Sequence, residues 1–496
     1  MRSALNFKLV IHILSFLLMI EAVALLISAA IAAIYDVNQV LQFNLLDAKG
    51  GFWSLIVSAV ITLIIGLLGW RLTFGVNKLV SKKEGYLVVA FSWILISFFG
   101  SLPFYLSGYF PSFTDAFFET ISGFTTTGAS ILTNIESLPK GLLFWRSLTH
   151  WIGGMGIIVL SLAILPLLGI GGMQLFAAES PGPTFDKIHP KVKETAKRLW
   201  AIYVLFTFLE VAFLMLGKMP FFDAVCHAFA TMATGGFSTQ NASVEDYSAF
   251  IQYVIIVFMI LAGTNFSLHY YLLVGRVKDI WKNDEYKFYL GIIFFVTLII
   301  STGLYFKMGF GVEKAFRDGL FQVVSILTTT GFVTADYLIW PPILWFVLFL
   351  LFFIGGSAGS TGGGVKVTRV LLLLKNSLLE LKRLVHPNAI IPVRLNGKPV
   401  QQNIVFVVMS FFLIYISIFA FGAIILVGLG LDFISAIGAS ASSLGNIGPA
   451  LGSVGPIENY AHLPSIAKWF LSFLMLLGRL ELFTVLIIFS PTFWRK

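Results

Sequence analysis

The chain has 496 residues, of which 58% are hydrophobic and only 11% carry a charge. Because soluble proteins carry about 25% charged residues, this composition excludes a soluble protein and indicates a polytopic protein of the lipid bilayer. The net charge of +9 does not indicate nucleic-acid binding, because 24 of the 33 Lys and Arg residues fall at the two ends and in four loops. Such an uneven distribution is typical of cytoplasmic loops. These loops are 71–83, 187–198, 276–287 and 366–398.

Two long apolar segments come first in the chain, at about 9–35 and 53–76. The first follows Arg2 and Lys8 and contains Ala30-Ile31-Ala32, features that a signal peptide also shows. The apolar region of a signal peptide is only about 7–15 residues long, however. We therefore expect a retained helix, and we predict two transmembrane helices within residues 1–80.

The rest of the chain repeats one pattern four times: an Asp, an apolar stretch, and a Gly thirteen residues after the Asp. The four pairs are Asp115 and Gly128, Asp223 and Gly236, Asp318 and Gly331, and Asp432 and Gly445. Each pair lies between apolar segments long enough to cross a membrane. The repeats so defined are 81–170, 187–278, 284–385 and 400–496. The predicted fold is an all-α polytopic membrane protein. Four pseudo-symmetric helix–pore loop–helix repeats surround a central pore, giving ten spans with both termini cytoplasmic.

The apolar stretch in each repeat predicts a short helix of about 12 residues, or about 18 Å, which cannot cross a bilayer. Such a helix must enter and return as a loop, which is tolerated only where the loop is buried in protein or lines a water-filled cavity. Four loops that meet on one axis satisfy this condition. We expect the four Asp residues to be the N-caps of these helices, and the helix C-termini, with their partial negative charge, to favour a cation.

The loops that follow the short helices combine Thr with Gly. A potassium filter needs stacked backbone carbonyls that replace the hydration shell of the ion, and Gly permits the backbone conformation that this requires. The residues predicted to bind potassium are Thr126, Thr127, Gly128, Ala129, Thr234, Gly235, Gly236, Phe237, Thr329, Thr330, Gly331, Phe332, Ser443, Leu444, Gly445 and Asn446.

The inner segment of the third repeat is interrupted at residues 355–364, where six of ten residues are Gly. Each Gly costs about 1 kcal/mol relative to Ala in a helix, so a helix is not expected there. Gly355-x-Ser357-x-Gly359 matches a nucleophile elbow, which leaves an intramembrane serine hydrolase as an alternative, although no His and acid are placed to complete a triad. A phosphate loop is not supported, because Val365 separates the last Gly from Lys366. We predict a flexible intramembrane gate below the filter, formed by Gly355, Gly356, Ser357, Gly359, Gly362, Gly363 and Gly364.

Arg479 lies in the middle of the last apolar segment, where an arginine costs about 2.5–3.5 kcal/mol on insertion. An ion pair with Glu481 is one alternative, although residues two apart on a helix face different ways. We predict that Arg479 lies in the cavity below the filter, where it repels cations or holds the Gly-rich segment. Glu21 and Glu210 also lie in apolar runs, and the sequence predicts no role for them.

Three segments carry a resemblance to a known family: FWRSLTHWIGGMG at 144–156, ATGGFST at 233–239 and GNIGP at 445–449. On these motifs, and over nearly its whole length, the chain resembles TrkH-type subunits of the Trk/Ktr/HKT superfamily of potassium transporters. The two additional N-terminal segments favour the Trk type over the shorter Ktr type. Gly128 stands where sodium-preferring plant relatives have Ser, so potassium is favoured. Ala450 departs from the Gly expected at that position and lies beyond the filter.

The resemblance implies four aligned glycines that line a potassium filter, an intramembrane loop that obstructs the pore, and a homodimer in the bacterial cytoplasmic membrane. It also implies a cytosolic nucleotide-binding partner of TrkA type, for which loops 187–198, 276–287 and 366–398 offer a basic docking face. The chain itself shows no dinucleotide fingerprint and no P-loop. We therefore predict a potassium uptake subunit that is not an enzyme, with a sodium-coupled potassium symporter as the alternative.

Overall fold

The computed structural model describes residues 5–36, 50–76, 81–154, 156 and 192–495, and this part of the chain is almost entirely helical. Several predicted features extend beyond these residues: the end of the first inner segment at 157–168, Met155, and residues 77–80 and 187–191 of two basic loops lie outside the described residues. Two helices, α1 (Phe7–Tyr35) and α2 (Gly51–Leu72), precede the repeats and pack against each other.

The first two repeats each begin with a long helix, continue through a short buried one, and return through a third. Repeat one contains α3 (Lys82–Gly100), α4 (Leu102–Ser107), α5 (Phe113–Phe124) and α6 (Lys140–Gly154). Repeat two contains α7 (Val192–Leu216), α8 (Phe221–Met232), α9 (Ala249–Ala262), α10 (Phe266–Leu273) and α11 (Val277–Trp281). The start of α3 is fixed by a capping box, in which Ser81 and Glu84 bond each other's backbone amides.

The last two repeats follow the same order. Repeat three contains α12 (Asp284–Met308), α13 (Val312–Leu327), a 3₁₀ turn (Tyr337–Ile339), α14 (Pro342–Leu351) and α15 (Val367–Val385). Repeat four contains α16 (Gln402–Gly428), α17 (Phe433–Gly445), a 3₁₀ turn (Gly452–Val454), α18 (Ser465–Arg479), α19 (Phe483–Phe489) and α20 (Pro491–Trp494).

A two-stranded hairpin joins repeats three and four, with β1 (Arg394–Leu395) antiparallel to β2 (Lys398–Pro399). Its turn is Asn396-Gly397, and both residues have a positive φ, of 51° and 76°. Asn-Gly is the preferred sequence for this two-residue turn, because neither residue is strongly disfavoured in the left-handed region.

Six helices of the described part are long and apolar enough to cross a membrane, and two bent pairs raise this number to eight. The pairs are α9 with α10, bent by 100°, and α18 with α19, bent by 116°. Of the other predicted spans, 142–168 continues beyond the described residues and 341–378 is broken by the Gly-rich segment. The prediction of an all-α polytopic membrane protein is confirmed.

The burial pattern separates a centre from a periphery. The long helices α12 and α16 expose large apolar side chains such as Phe294, Phe295 and Leu413, as helices that face lipid do. The C-terminal parts of the short helices are enclosed instead: every residue is buried from Asp115 to Phe124 in α5, from Phe321 to Leu327 in α13 and from Gly438 to Gly445 in α17. The four short helices and the loops after them therefore form the middle of the molecule.

Candidate functional site

All four short helices end in the same backbone turn. At each exit one residue has a positive φ of 53° to 59°: Thr126, Thr234, Thr329 and Asn446. The amide of the next residue bonds a carbonyl five residues back: Thr127 to Ser122 (2.9 Å), Gly235 to Ala230 (2.8 Å), Thr330 to Ser325 (2.8 Å) and Ile447 to Ser442 (3.0 Å). This is a Schellman ending. A β-branched residue is rarely found at positive φ, and such strain persists where the surroundings impose it, often at functional sites.

The glycine two residues beyond each turn also has a positive φ, and these four residues are called the ring glycines below. They are Gly128 (79°), Gly236 (80°), Gly331 (81°) and Gly448 (98°). The fourth is Gly448, so the prediction of Gly445 was wrong. Gly445 is the last residue of α17, and Ser443 and Leu444 also belong to that helix. The fourth loop therefore consists of Asn446, Ile447, Gly448 and Pro449.

The same shift of three residues corrects the predicted N-caps. Only Asp432 caps its helix, by accepting a hydrogen bond from the amide of Ser435 at 3.1 Å. The other three Asp residues lie inside their helices: Asp115 and Asp223 come three residues after the N-cap, and Asp318 comes seven residues after it because α13 begins earlier. The residues at the three N-caps are Ser112 for α5, Pro220 for α8 and Gly311 for α13. Asp115 instead pairs with Lys468 at 2.6 Å, and Asp223 accepts a hydrogen bond from Thr239 at 2.8 Å. Asp318 lies 3.9 Å from Arg317.

The four loops close into a ring around one axis. A Cβ atom added to Gly128 would lie under 3.0 Å from the carbonyl oxygen of Gly235 in the second loop. The same holds in order around the molecule: Gly236 against Thr330, Gly331 against Ile447, and Gly448 against Thr127. Each ring glycine thus packs directly on a backbone carbonyl of the next repeat, and the fourth packs on the first. No side chain fits at these positions.

The other predicted filter residues are buried, and several of their side chains are engaged in packing around the ring. The hydroxyls of Thr127 and Thr330 bond those of Thr125 (2.8 Å) and Thr328 (2.7 Å). Asn446 donates to the hydroxyl of Thr127 at 2.9 Å and so joins the fourth loop to the first. Phe237 stacks near His150 and Phe332 near His227, with ring centroids 4.0 and 5.7 Å apart.

A cavity of about 80 Å³ lies on the side of the ring away from the helix ends. All four ring glycines line it, with residues that follow them in the chain, such as Ala129, Phe237 and Pro449. Arg146 and Glu458 are the charged residues of its lining. The ring thus has backbone groups at its centre and an opening of molecular size on one side.

Sequence reasoning missed a buried ion pair beside this cavity. The Nε atom of Arg146 lies 2.6 Å from the carboxylate of Glu119, and the two side chains are 2% and 0% exposed. The signal was available, because an ionisable residue within an apolar short helix is by default a candidate functional residue. Arg146 belongs to a segment that carries the family resemblance, but neither residue was assigned a role.

The Gly-rich segment lies against the opposite ends of the loops. Its two ends meet where the amide of Gly355 bonds the carbonyl of Val365 at 2.7 Å. The amide of Gly363 donates to the hydroxyl of Thr329 at 2.7 Å, and the hydroxyl of Thr361 donates to the carbonyl of Met232 at 3.0 Å. Added Cβ atoms on Gly362 and Gly363 would meet the carbonyls of Thr328 and Gly445 within 3.0 Å. The segment therefore contacts the C-terminal ends of α8, α13 and α17.

Arg479, the last residue of α18, holds the same segment from one side. Its guanidinium donates to the carbonyl of Thr361 at 2.8 Å and to those of Gly154 (3.0 Å) and Gly153. Glu481, which the sequence offered as an ion-pair partner of Arg479, pairs with Arg369. The chain turns sharply between α18, which ends at Arg479, and α19.

Two further charged residues bond the Gly-rich segment, and neither was assigned to it from the sequence. Lys366 donates to the carbonyl of Gly362, and Glu285 accepts a hydrogen bond from the amide of Ala358 at 2.7 Å.

The hydrolase alternative receives no support from the geometry. The hydroxyl of Ser357 has no hydrogen-bond partner among the described residues, so no base is placed to activate it. No group of three or more His, Cys, Asp or Glu side chains in the described part is arranged to hold a metal ion.

Comparison with known proteins places this arrangement in context. The model of a family described as "TrkH: Cation transport protein" matches residues 55–310 and 289–496. The Trk system potassium uptake protein TrkH of Escherichia coli (strain K12) is 40% identical over 498 residues, which cover 99% of this chain and 100% of that protein. The protein of the same name from Salmonella typhimurium is 43% identical over 442 residues, 88% of this chain and 91% of that protein. The crystal structure of the potassium transporter TrkH from Vibrio parahaemolyticus matches with a TM-score of 0.84 and 36% identity, covering 99% of this chain and 100% of that one.

Proposed function

This chain belongs to the TrkH family of cation transport proteins, and from that premise we propose that it carries potassium ions into the cell across a bacterial cytoplasmic membrane. It is a multi-pass membrane transporter and not an enzyme. Potassium as the cargo is supported by the two TrkH relatives, which are named potassium uptake proteins. This chain aligns with 91% and 100% of their length.

The observation that carries the proposal is the closed ring of glycines. The backbones of the four loops approach so closely at Gly128, Gly236, Gly331 and Gly448 that only main-chain atoms fit between them. Carbonyl oxygens held around an axis replace the hydration shell of a potassium ion, which is how known potassium filters select. The C-termini of the four short helices add partial negative charge at the inner side of the ring, where a cation crosses the middle of the membrane.

The Gly-rich segment acts as the gate in this proposal. It lies against the inner ends of three short helices, and Arg479 holds it through the carbonyl of Thr361. A cation that leaves the ring toward the cytoplasm meets both the backbone of the segment and the charge of Arg479. Conduction therefore requires that the segment move away and that its bonds to Arg479, Lys366 and Glu285 break.

Regulation is assigned to a separate partner. The relatives are named as parts of a Trk system, which supports an assembly with regulatory subunits, and we propose a nucleotide-binding TrkA-type partner and a homodimer of this chain. Within the basic loop 366–398, Lys366 and Arg369 are buried and unavailable for docking. The docking face is therefore restricted to exposed residues of the loop such as Lys382, Arg394 and Lys398.

The test is ion flux through the purified protein in liposomes. Potassium flux in the absence of sodium is the expected result, whereas flux only with sodium present supports the sodium-coupled symporter. Replacing Gly128 with Ser is expected to lower the potassium/sodium permeability ratio about tenfold, equivalent to about 1.4 kcal/mol, because the added side chain displaces the carbonyl of Gly235.

Reversal potentials in mixed potassium and sodium gradients measure this ratio. Gly428→Ser is the matched control, because a Cβ atom at Gly428 meets no atom within 4 Å. An unchanged ratio in Gly128→Ser, Gly236→Ser and Gly331→Ser alike would remove the ring from ion selection.

A further inference from the structure

One position in each short helix has a recurring structural role. It lies nine residues before the ring glycine, and in three repeats its buried side chain bonds the part of the loop just beyond that glycine. The three pairs are Glu119 with the hydroxyl of Ser130 (2.9 Å), His227 with that of Ser238 (3.0 Å) and Gln322 with that of Thr334 (3.3 Å). In the fourth repeat the position is Ala439, and the hydroxyls of Ser442 and Tyr460 instead bond the carbonyl of Gly448, each at 2.8 Å. The far side of the ring is thus fastened in every repeat.

In the first repeat this connection is ionic. Glu119 accepts hydrogen bonds from the hydroxyl of Ser130, from the amide of Ile131 at 2.9 Å and from the guanidinium of Arg146 at 2.6 Å. Both charged side chains are almost completely buried, so neither is free to turn toward solvent. Because an unpaired buried charge is costly, Glu119 and Arg146 act as one unit.

Arg146 extends this unit to the second repeat. Its Nη1 atom donates to the carbonyl of Ser238 at 2.8 Å, and its guanidinium lies 3.5 Å from the centre of the Phe237 ring. The amide of Phe237 in turn bonds His150 at 3.2 Å. Both Phe237 and Ser238 directly follow the ring glycine Gly236, so Arg146 fixes the second loop where it leaves the ring.

We propose that Glu119 and Arg146 are positioning residues that determine ion selectivity by setting the spacing between the first and second loops. The inference rests on the proposed function, because selectivity is taken to reside in the ring. Gly128 packs on the carbonyl of Gly235 at this junction, and a change in spacing there alters one side of the carbonyl ring. A buried ion pair contributes little net stability compared with apolar residues of similar volume, so its directional hydrogen bonds are the property to test.

Two variants separate geometry from charge. Glu119→Gln keeps the shape but replaces one of the two acceptor oxygens with an NH₂ donor. The side chain can then no longer accept from Arg146 at one oxygen and from the amide of Ile131 at the other. Arg146→Lys keeps the positive charge but lacks the planar guanidinium, which donates to Glu119 and to the carbonyl of Ser238 at the same time. We expect each variant to lower the potassium/sodium permeability ratio about tenfold, equivalent to about 1.4 kcal/mol. Reversal potentials of the full-length protein in liposomes measure the ratio.

The matched control is Asp115→Asn. Asp115 lies on the same helix, four residues before Glu119, and forms a buried ion pair with Lys468 at 2.6 Å that does not touch the ring. This variant is expected to keep the wild-type ratio, even if its thermal stability falls. A ratio lowered equally in Asp115→Asn and Glu119→Gln would mean that general loosening of α5, not the spacing of the loops, sets the result, and would overturn the proposal.

The remaining outcomes also decide the question. A wild-type ratio in Arg146→Lys overturns the proposal, because it shows that the charge suffices without the fork. If Glu119→Gln does not accumulate in the membrane, Arg146→Lys alone decides. Gly128→Ser, measured in parallel, distinguishes the two levels: a changed ratio there with wild-type ratios in Glu119→Gln and Arg146→Lys rejects the positioning role and leaves the filter intact. A wild-type ratio in all three variants, and also in Gly236→Ser and Gly331→Ser, rejects the filter as well.

Discussion

Two features of their environment restrict the ring positions to glycine. Their φ values of 79° to 98° are unfavourable for any residue with a Cβ atom, and the space that a Cβ atom would need is occupied by a carbonyl of the neighbouring loop. Thr126, Thr234 and Thr329, two residues earlier, also have a positive φ, and this conformation costs each of them on the order of 1–3 kcal/mol. The burial of the loops and the Schellman hydrogen bonds hold this conformation in place.

The corrected position of the fourth glycine leads to a prediction with an internal control. Gly448→Ala is expected to lower the potassium/sodium permeability ratio about tenfold, or by about 1.4 kcal/mol, because its Cβ atom would lie 2.6 Å from the carbonyl of Thr127. Gly445→Ala is expected to keep the wild-type ratio. Gly445 is helical, and its Cβ atom would meet the end of the Ile447 side chain at 3.0 Å and the carbonyl of Phe352 at 3.2 Å, neither of which is a carbonyl of the ring.

Reversal potentials of both variants decide between the two registers. The opposite result, with Gly445→Ala altered and Gly448→Ala normal, would restore the thirteen-residue spacing in the fourth repeat and contradict the backbone geometry. The comparison is sharp because the two glycines lie three residues apart in one loop region and differ chiefly in φ and in the atom they face.

At the scale of elements, the Gly-rich segment is a connection between two helices whose ends are already adjacent. Gly355 and Val365 are joined by a backbone hydrogen bond of 2.7 Å, so the residues between them form a loop that leaves and returns to the same place. This loop is held by hydrogen bonds from other elements: Arg479 from α18, Glu285 from α12 and Thr329 from the third loop. Its position beneath the ring therefore depends on side chains that lie far away in the sequence.

Removing the proposed obstruction is expected to raise potassium flux. Deletion of residues 357–363 leaves the joined ends in place, and Arg479→Ala removes both the bond to Thr361 and a positive charge. We expect a rise of at least about tenfold, which corresponds to lowering the barrier by about 1.4 kcal/mol. Stopped-flow flux into liposomes, at matched protein insertion, measures it.

Arg479→Lys separates the two roles of the arginine. If Arg479 acts mainly by holding the segment, Lys opens the pore almost as Ala does, because a single ammonium cannot reproduce the fork that bonds Thr361 and Gly154. If the charge is the barrier, Lys keeps flux low. Normal insertion with unchanged flux in both the deletion and Arg479→Ala would place the gate elsewhere in the chain.

At the scale of the whole molecule, the sequence sufficed for the all-α membrane fold and for three of the four ring glycines, because the first depends on composition and the second on local spacing. It did not suffice for Gly448. Asp432 lies sixteen residues before its ring glycine, whereas the Asp of each other repeat lies thirteen residues before it, and only the structure shows this difference. The partners of Glu119 and Asp115 were equally hidden. Arg146 is 27 residues from Glu119, and Lys468 is 353 residues from Asp115. Pairings of this kind follow from how repeats pack and not from any periodicity.

The position of the basic residues yields a prediction for the assembly. An ungated potassium pore would dissipate the membrane potential. The proposed gate is joined to α15, whose last turn carries the exposed Lys382, and α15 leads to the hairpin that carries the exposed Arg394 and Lys398. Neutralising these three residues to Gln is expected to weaken binding of the nucleotide-binding partner about tenfold, or by about 1.4 kcal/mol, and more at low salt than at high salt. Lys218→Gln with Lys307→Gln is the control. Both residues are exposed: Lys218 follows α7, and Lys307 lies in the last turn of α12, each at the end of its helix opposite to a predicted cytoplasmic loop.

Co-purification of the partner from the native membrane measures this binding, and flux with and without ATP, ADP or NADH then shows whether binding reaches the gate. Wild-type co-purification with the triple variant would exclude the end of α15 and the hairpin as the docking face. A nucleotide response of the purified chain alone would exclude a separate regulator. If instead the triple variant loses the partner and its response to nucleotide while keeping the potassium/sodium permeability ratio of the wild type, regulation enters through α15 and leaves the ring of glycines unchanged.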